Sequence, residues 1–205
     1  MKIRQHSALA LMLAIALPLS AQETKPDAAP PEMTAEQKAM FEAYEKAAKP
    51  GEQHKQLEAL VGTWTTKQSM WMDPSAPPMT ETGTSTNTLV LGGRHLRSDF
   101  SSKWMGKPFT GIGYTGYDNV TGKFYSSWMD DASTGLFIAH GDYDAATKTY
   151  TFTGEMADAA KAGAKVPMRE VLRIVDNDHH VFEMHETRDG KEAKVMQIEY
   201  TRAKP

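Results

Sequence analysis

Acidic and hydroxyl side chains gather in one short stretch of this sequence. Asp130 and Asp131 are followed by Ser133 and Thr134, and Glu170 belongs to a later segment that the strand pattern described below brings to the same region. Two carboxylates in a low-dielectric site raise the pKa of one of them, which could then act as a general acid or base. A turn rich in Asp, Ser and Thr is equally well explained by side-chain bonds to its own backbone.

An isomerase or hydrolase acting at this stretch is therefore kept only as an alternative. The sequence has no Gly-x-Ser-x-Gly, no cysteine and no His-Glu-x-x-His, so it shows no nucleophile with an adjacent base. We assign no catalytic residue.

Methionine is the other residue type with chemical potential. All methionines except Met1 and Met12 lie beyond residue 21. Thioethers are flexible and polarizable, so they can line a pocket that accepts apolar ligands of varied shape. They can also bind Cu(I), but the sequence lacks a Met-x-x-Met spacing. We expect these methionines to line or fill a protein interior.

Short strands must position these residues, because from Val61 onward apolar and aromatic residues recur with period two. Short connections permit antiparallel neighbours. The pattern predicts an all-β fold: a ten-stranded antiparallel up-and-down β-barrel, closed so that neither edge is unpaired, preceded by a short N-terminal helix. The predicted strands are approximately 61–71, 80–91, 94–104, 108–118, 123–130, 135–143, 148–156, 166–176, 179–187 and 192–202.

Alternation from an inward Trp64 predicts a mostly apolar barrel lining with a few polar groups. Longer loops fall at the end opposite Trp64, which is typical of an open mouth. We predict that a small apolar or amphipathic molecule binds inside, with Asp130 or Gln68 orienting its polar group; a packed or water-filled interior is the alternative. The predicted ligand-binding residues are Gln68, Met70, Trp128, Asp130, Phe152, Met156, Met168, Met184 and Met196.

The N-terminal part of the sequence predicts export. Residues 1–21 combine Lys2 and Arg4, a short apolar run and a small-residue site ending at Ala21, which is typical of a signal peptide. We expect a disordered linker over 22–33, a helical segment over 34–60, and the barrel over 61–203. The expected location is periplasmic or secreted, with no integral membrane segment after leader removal.

Charge argues against nucleic acid as a partner. The leader contributes Lys2 and Arg4 and no acidic residue, so its removal changes the formal net charge from -3 to -5. Phosphate backbones are bound by clustered basic faces, which this composition does not favour.

Several motifs carry a resemblance to known barrels. Gly62, Trp64 and the late Arg202 resemble the Gly-x-Trp and terminal Arg signature of calycins, the lipocalin-like barrels. In a ten-stranded meander the start of the first strand and the end of the last lie at the same end, so we predict that Trp64 and Arg202 are neighbours with a structural role. The fuller pattern resembles the uncharacterised bacterial family known as domain of unknown function 1579, over about residues 54–202. The resemblance implies a calycin-like barrel in a secreted protein and supplies no catalytic residue. The motifs are Leu-Val-Gly-Thr-Trp (60–64), Leu-Gly-Gly-Arg (91–94), Met-Gly-Lys-Pro-Phe-Thr-Gly (105–111), Gly-Tyr-Asp-Asn (116–119), Trp-Met-Asp (128–130), Ser-Thr-Gly (133–135) and Tyr-Thr-Arg (200–202).

The histidines predict no metal site from their spacing. His179 and His180 are adjacent, so on a strand they point to opposite faces, and His95 and His140 stand alone. A haem-binding barrel of the nitrobindin kind needs a proximal histidine inside the cavity, and His180 or His140 could serve. Haem is therefore the one cofactor kept as an alternative.

Overall fold

The protein is described here by a computed structural model that covers residues 32–73 and 75–204. The predicted signal peptide over 1–21 and residues 22–31 of the predicted linker lie outside the described residues. Helices α1 (Ala35–Ala48) and α2 (Glu52–Gln56) and a 3-10 turn (Leu57–Leu60) precede the strands. The strands are β1 (Gly62–Met70), β2 (Met79–Val90), β3 (His95–Trp104), β4 (Lys107–Asp118), β5 (Lys123–Asp130), β6 (Phe137–Asp144), β7 (Thr149–Ala157), β8 (Lys165–Ile174), β9 (His179–Arg188) and β10 (Lys191–Arg202).

The ten strands form one closed antiparallel barrel. Each strand pairs with its neighbours in the chain, and β1 pairs with β10 to close the ring. The predicted fold class is thus confirmed, and the predicted strand ends agree with the observed ones to within two residues. Period-two alternation located the strands well because one face of each is buried.

Helix α1 begins with a capping box. The backbone N–H of Gln37 donates to Thr34 Oγ1 at 3.2 Å, and the backbone N–H of Thr34 donates to Gln37 Oε1 at 2.9 Å. The boundary between the two units of the chain lies between Ala39 and Met40, within this helix. None of the described helices is long and apolar enough to cross a membrane.

The 3-10 turn closes one end of the barrel, which we call the floor. Leu57 and Leu60 are almost fully buried and belong to the same apolar cluster as Phe124 and Tyr150. Burying such a leucine contributes about 1.5–3 kcal/mol. The opposite end of the barrel, which we call the mouth, carries the loop that follows Asp130.

Trp64 and Arg202 join the first and last strands at the floor. They are register partners, and the guanidinium carbon of Arg202 lies 4.1 Å from the centre of the Trp64 ring. Arg202 also donates to the carbonyl oxygens of Val61 at 2.7 Å and Asn177 at 2.9 Å. A methyl group at Gly62, whose φ is +134°, would overlap the guanidinium, so this position requires glycine.

Candidate functional site

One row of inward side chains crosses five neighbouring strands. Met70 on β1 pairs with Met196 on β10, Met196 with Met184 on β9, Met184 with Glu170 on β8, and Glu170 with Phe152 on β7. Paired residues in adjacent strands present their side chains on the same face of the sheet. Three thioethers, one carboxyl group and one phenyl ring therefore form a continuous strip of the inner wall, which we call the methionine row.

Gln68 is connected to the methionine row by hydrogen bonds to two methionine sulfur atoms. Its side-chain Nε2 donates to Sδ of Met70 at 3.1 Å and to Sδ of Met196 at 3.3 Å, while its Oε1 has no hydrogen-bond partner. Met168 lies on β8 two residues before Glu170 and is buried. The structure thus brings together these predicted residues: Gln68, Met70, Phe152, Met168, Met184 and Met196.

Glu170 is the polar centre of this wall. Its side chain is 2% exposed, and burial raises its pKa to about 7, with a smaller opposing effect from the nearby Ser126 hydroxyl. Its Oε2 has no hydrogen-bond partner. At neutral pH a large share of the molecules therefore hold an uncharged carboxyl group, which can both donate and accept. The strand pattern predicts Glu170 near the mouth but does not place it among the ligand-binding residues. The sequence signal that could have found it is a lone acid in the inward series Met168, Glu170, Leu172.

Trp128 and Asp130 form a second group on β5, which β6 separates from the β7 end of the methionine row. The Trp128 ring N–H donates to Asp130 Oδ2 at 2.8 Å, and the Ala132 backbone N–H donates to Asp130 Oδ1 at 3.1 Å. The Trp128 indole lies against Gly111 and Gly113, where added methyl groups would crowd it. Because both carboxylate oxygens of Asp130 accept local hydrogen bonds, they hold the indole and the mouth loop in place.

Met156 differs from the other predicted contacts. It follows the inward alternation of β7, but it is 39% exposed, because it lies one residue before the strand ends at the mouth. It therefore contacts solvent at the rim, and the structure does not place it with the methionine row.

Several inward side chains of the barrel are only partly buried. Leu172, Phe182, Met184, Met196 and Tyr200 point inward from the middle or later part of their strands, yet each keeps part of its surface accessible. A ten-stranded barrel encloses more space than an eight-stranded barrel, in which side chains just fill the interior. Within the methionine row, Met184 and Met196 keep part of their surface accessible, whereas Met70, Glu170 and Phe152 are buried.

His180 lies inside the barrel, close to the floor. Its ring stacks on Tyr200 at 4.1 Å and meets the Trp64 ring edge-on at 4.3 Å, and its Nδ1 has no hydrogen-bond partner. Burial, together with the charge of Arg202, lowers its pKa to about 3, so the ring is neutral. His140 is exposed on the outer face of β6, so it cannot ligate a group held inside. Of the two histidines considered for haem, only His180 lies inside the barrel.

Sequence comparison supplies the family. The family model described as Protein of unknown function (DUF1579) matches residues 49–202. The chain belongs to this family. The match confirms the resemblance drawn from the motifs, and the DUF1579 region includes α2, the 3-10 turn and every strand of the barrel.

One solved structure shares the fold of this DUF1579 protein, and two others align with it at lower TM-scores. The crystal structure of Rv2717c from M. tuberculosis aligns with 76% of this chain and 100% of that chain, at 17% identity and a TM-score of 0.56. At that identity the likeness concerns the fold alone. A redesigned beta barrel, b11L5F_LGL, aligns with 78% of this chain and 96% of that chain (13% identity, TM-score 0.37). EF1p2_mFAP2b bound to DFHBI aligns with 74% of this chain and 99% of that chain (9% identity, TM-score 0.39). No curated protein matches this chain.

Proposed function

We propose that the protein binds a small amphipathic molecule inside its barrel, with the apolar part against the methionine row and a hydrogen-bonding group at Glu170. The observation that carries the proposal is this row, in which a single buried acid without a partner at Oε2 is set among thioethers and a phenyl ring. Small-molecule sites have this composition: a mostly apolar lining with a few placed polar groups.

Glu170 favours an uncharged polar group on the ligand. A buried polar atom without a partner costs about 1–3 kcal/mol, so a ligand that supplies the partner gains part of that free energy on binding. An anionic headgroup would oppose ionisation of Glu170 and meet no cation in the methionine row. We therefore expect a ligand with a hydroxyl, amide or carbonyl group.

Gln68 supplies the second polar contact. Its amide donates to two sulfur atoms, which are weak acceptors, so exchanging one of them for a ligand oxygen costs little. The methionines beside it can change rotamer to fit ligands of different shape. This combination supports a binding protein of broad apolar tolerance and defined polar orientation.

Mass spectrometry provides the first test. The natively purified protein should release a small molecule on denaturation and solvent extraction, and the refolded protein should bind the neutral dye Nile red. Met184→Trp fills the interior and should abolish dye binding, whereas the matched Met129→Trp, whose residue is 40% exposed on the outer face, should not. A native protein without a bound molecule, together with equal dye binding by both variants, would contradict the proposal.

Haem held by His180 is a second candidate. The favouring observation is a neutral imidazole inside the barrel with an unpartnered ring nitrogen, the form that ligates metal. Two aromatic rings pack against His180, so a haem would have to approach the edge of its imidazole. Added haem should give a sharp Soret band that His180→Ala removes and His140→Ala leaves unchanged; an unchanged band in His180→Ala would reject this candidate.

Export belongs to the proposal as well. It rests on the sequence of residues 1–21, whose basic n-region, apolar run and small-residue site are typical of a cleaved leader. The ligand would then be taken up in the periplasm or outside the cell.

A further inference from the structure

A cleft on the outer wall of the barrel lies near the floor and has a volume of about 340 Å³. Its walls come from the end of α1, from α2 and from strands β3 to β6. It is separate from the barrel interior and does not depend on the function proposed above. The lining residues used below are His54, Arg94, His95, Asp118, Tyr125 and His140.

A row of outward side chains forms the base of the cleft. His95 pairs with Gly116, Gly116 with Tyr125, and Tyr125 with His140, across β3 to β6. A methyl group at Gly116 would overlap the Tyr125 ring, so glycine lets the phenol lie across β4 and bond to His95 Nδ1. Burial lowers the pKa of His95 and raises that of Tyr125, so a neutral imidazole accepts from a protonated phenol. Core packing does not explain a half-buried polar pair on the outer wall.

His54 presents a fixed donor to the same cleft. It is 5% exposed, and the backbone N–H of Gly51 donates to its Nδ1 at 3.0 Å. With Nδ1 acting as an acceptor, the proton of the neutral ring is on Nε2. The ring meets Tyr117 edge-on at a centroid distance of 5.9 Å, which holds its orientation.

Arg94 adds a positive charge that no described residue neutralises through an ion pair. The side chain is partly buried, and its Nη1 donates to the carbonyl oxygen of Leu91 at 3.1 Å. The nearby carboxylate of Asp118 accepts from the backbone N–H of Val120 at 2.8 Å and from the Thr121 hydroxyl at 2.9 Å, so it is bound within its own turn. The remaining guanidinium donors of Arg94 are available to a ligand.

We propose that this cleft is a second binding site, which takes a small molecule bearing an oxyanion, either a carboxylate or a phosphate. Arg94 supplies charge-assisted hydrogen bonds, and His54 Nε2 supplies a neutral one. The Tyr125 and His95 pair forms the base on which the rest of the ligand rests, and His140 borders it. A guanidinium matches the planar carboxylate and the phosphate oxygens equally well, so the shared chemistry is the oxyanion.

Histidine NMR of the full mature chain tests the site directly. Acetate and inorganic phosphate, titrated separately, distinguish the two sources of the oxyanion, and acetamide is the uncharged control. At least one anion should give saturable shifts of the His54, His95 and His140 ring signals, while the His179 signal stays constant. Arg94→Gln should weaken binding by about 10- to 100-fold, the size expected for lost hydrogen bonds to a charged group.

A matched variant distinguishes binding at this cleft from a non-specific effect of removing a positive charge. Arg97→Gln removes an outward arginine of the same strand that is already paired with Asp99, so it should leave binding unchanged. Gly116→Ala should displace Tyr125 and remove the shift of His95. Equal shifts with acetamide, shifts that do not saturate, or equal weakening by Arg97→Gln would each overturn the proposal. The comparison of the two anions with acetamide uses the wild-type protein, so it decides the question even if a variant misfolds.

Discussion

Replacing Glu170 with glutamine should change how the stability of the protein depends on pH. The pKa of Glu170 is raised from 4.5 to about 7 in the folded protein, because burial disfavours the carboxylate. Between these values the folded state holds a proton that the unfolded state releases. The stability contributed by this proton is complete below about pH 4.5 and is lost as pH rises through about 7.

The size of the effect follows from the shift. Each pH unit in that window costs the wild-type protein about 1.4 kcal/mol, so the total loss is about 3 kcal/mol. Glutamine has nearly the same shape and no charge at any pH. The unfolding free energy of Glu170→Gln relative to wild type should therefore rise by about 3 kcal/mol from low to neutral pH.

The titration of His180 changes the stability with pH in the opposite direction. The quantity to compare is therefore the unfolding free energy of Glu170→Gln minus that of the wild-type protein. The pKa of His180 is lowered from 6.5 to about 3, and its contribution is present above 6.5 and lost as pH falls through about 3. Both proteins contain His180, so this contribution cancels in the difference. The wild-type curve alone would show the two effects superimposed.

Urea unfolding followed by tryptophan fluorescence measures the difference at several pH values. The matched control is Glu199→Gln, because Glu199 is exposed on β10 and should give a nearly constant difference. A difference for Glu170→Gln that stays flat across the same range would show that Glu170 titrates normally. It would refute the assignment of an uncharged acid to the barrel wall.

Three further predictions concern the fold and the leader. Gly111→Ala should destabilise the barrel by about 1–3 kcal/mol in urea unfolding, because its methyl group would overlap the Trp128 indole. The control Gly135→Ala has room for a methyl group and should change the unfolding free energy little. Equal losses in the two variants would contradict this prediction. Arg202→Met should lower the unfolding free energy by about 2–4 kcal/mol in the same assay, since it removes a cation–π contact and two hydrogen bonds to backbone carbonyl oxygens. A loss below the assay error would contradict this prediction. Mass spectrometry of the exported protein should find Gln22 at its N-terminus, and an intact leader would reject the export proposal.

The strands and their facing residues could be predicted because alternation is a local property. Met168, Glu170 and Leu172 point inward for the same reason that Lys67 points outward: successive side chains of a strand lie on opposite faces. Alternation does not predict how far a residue lies from the end of the barrel. Met156 has the correct face and is nevertheless exposed, because exposure depends on how far the neighbouring strands extend.

The sequence by itself determined the ten strands, their antiparallel order and the family, since these follow from period, turn residues and motifs. Only the tertiary structure decided which side chains meet. The methionine row joins residues of five strands through register, and the pKa of Glu170 depends on desolvation by all of its surroundings. Tyr125 reaches His95 across an intervening strand because position 116 is glycine. Contacts of this kind depend on closure of the barrel, which sets the register between residues distant in the chain.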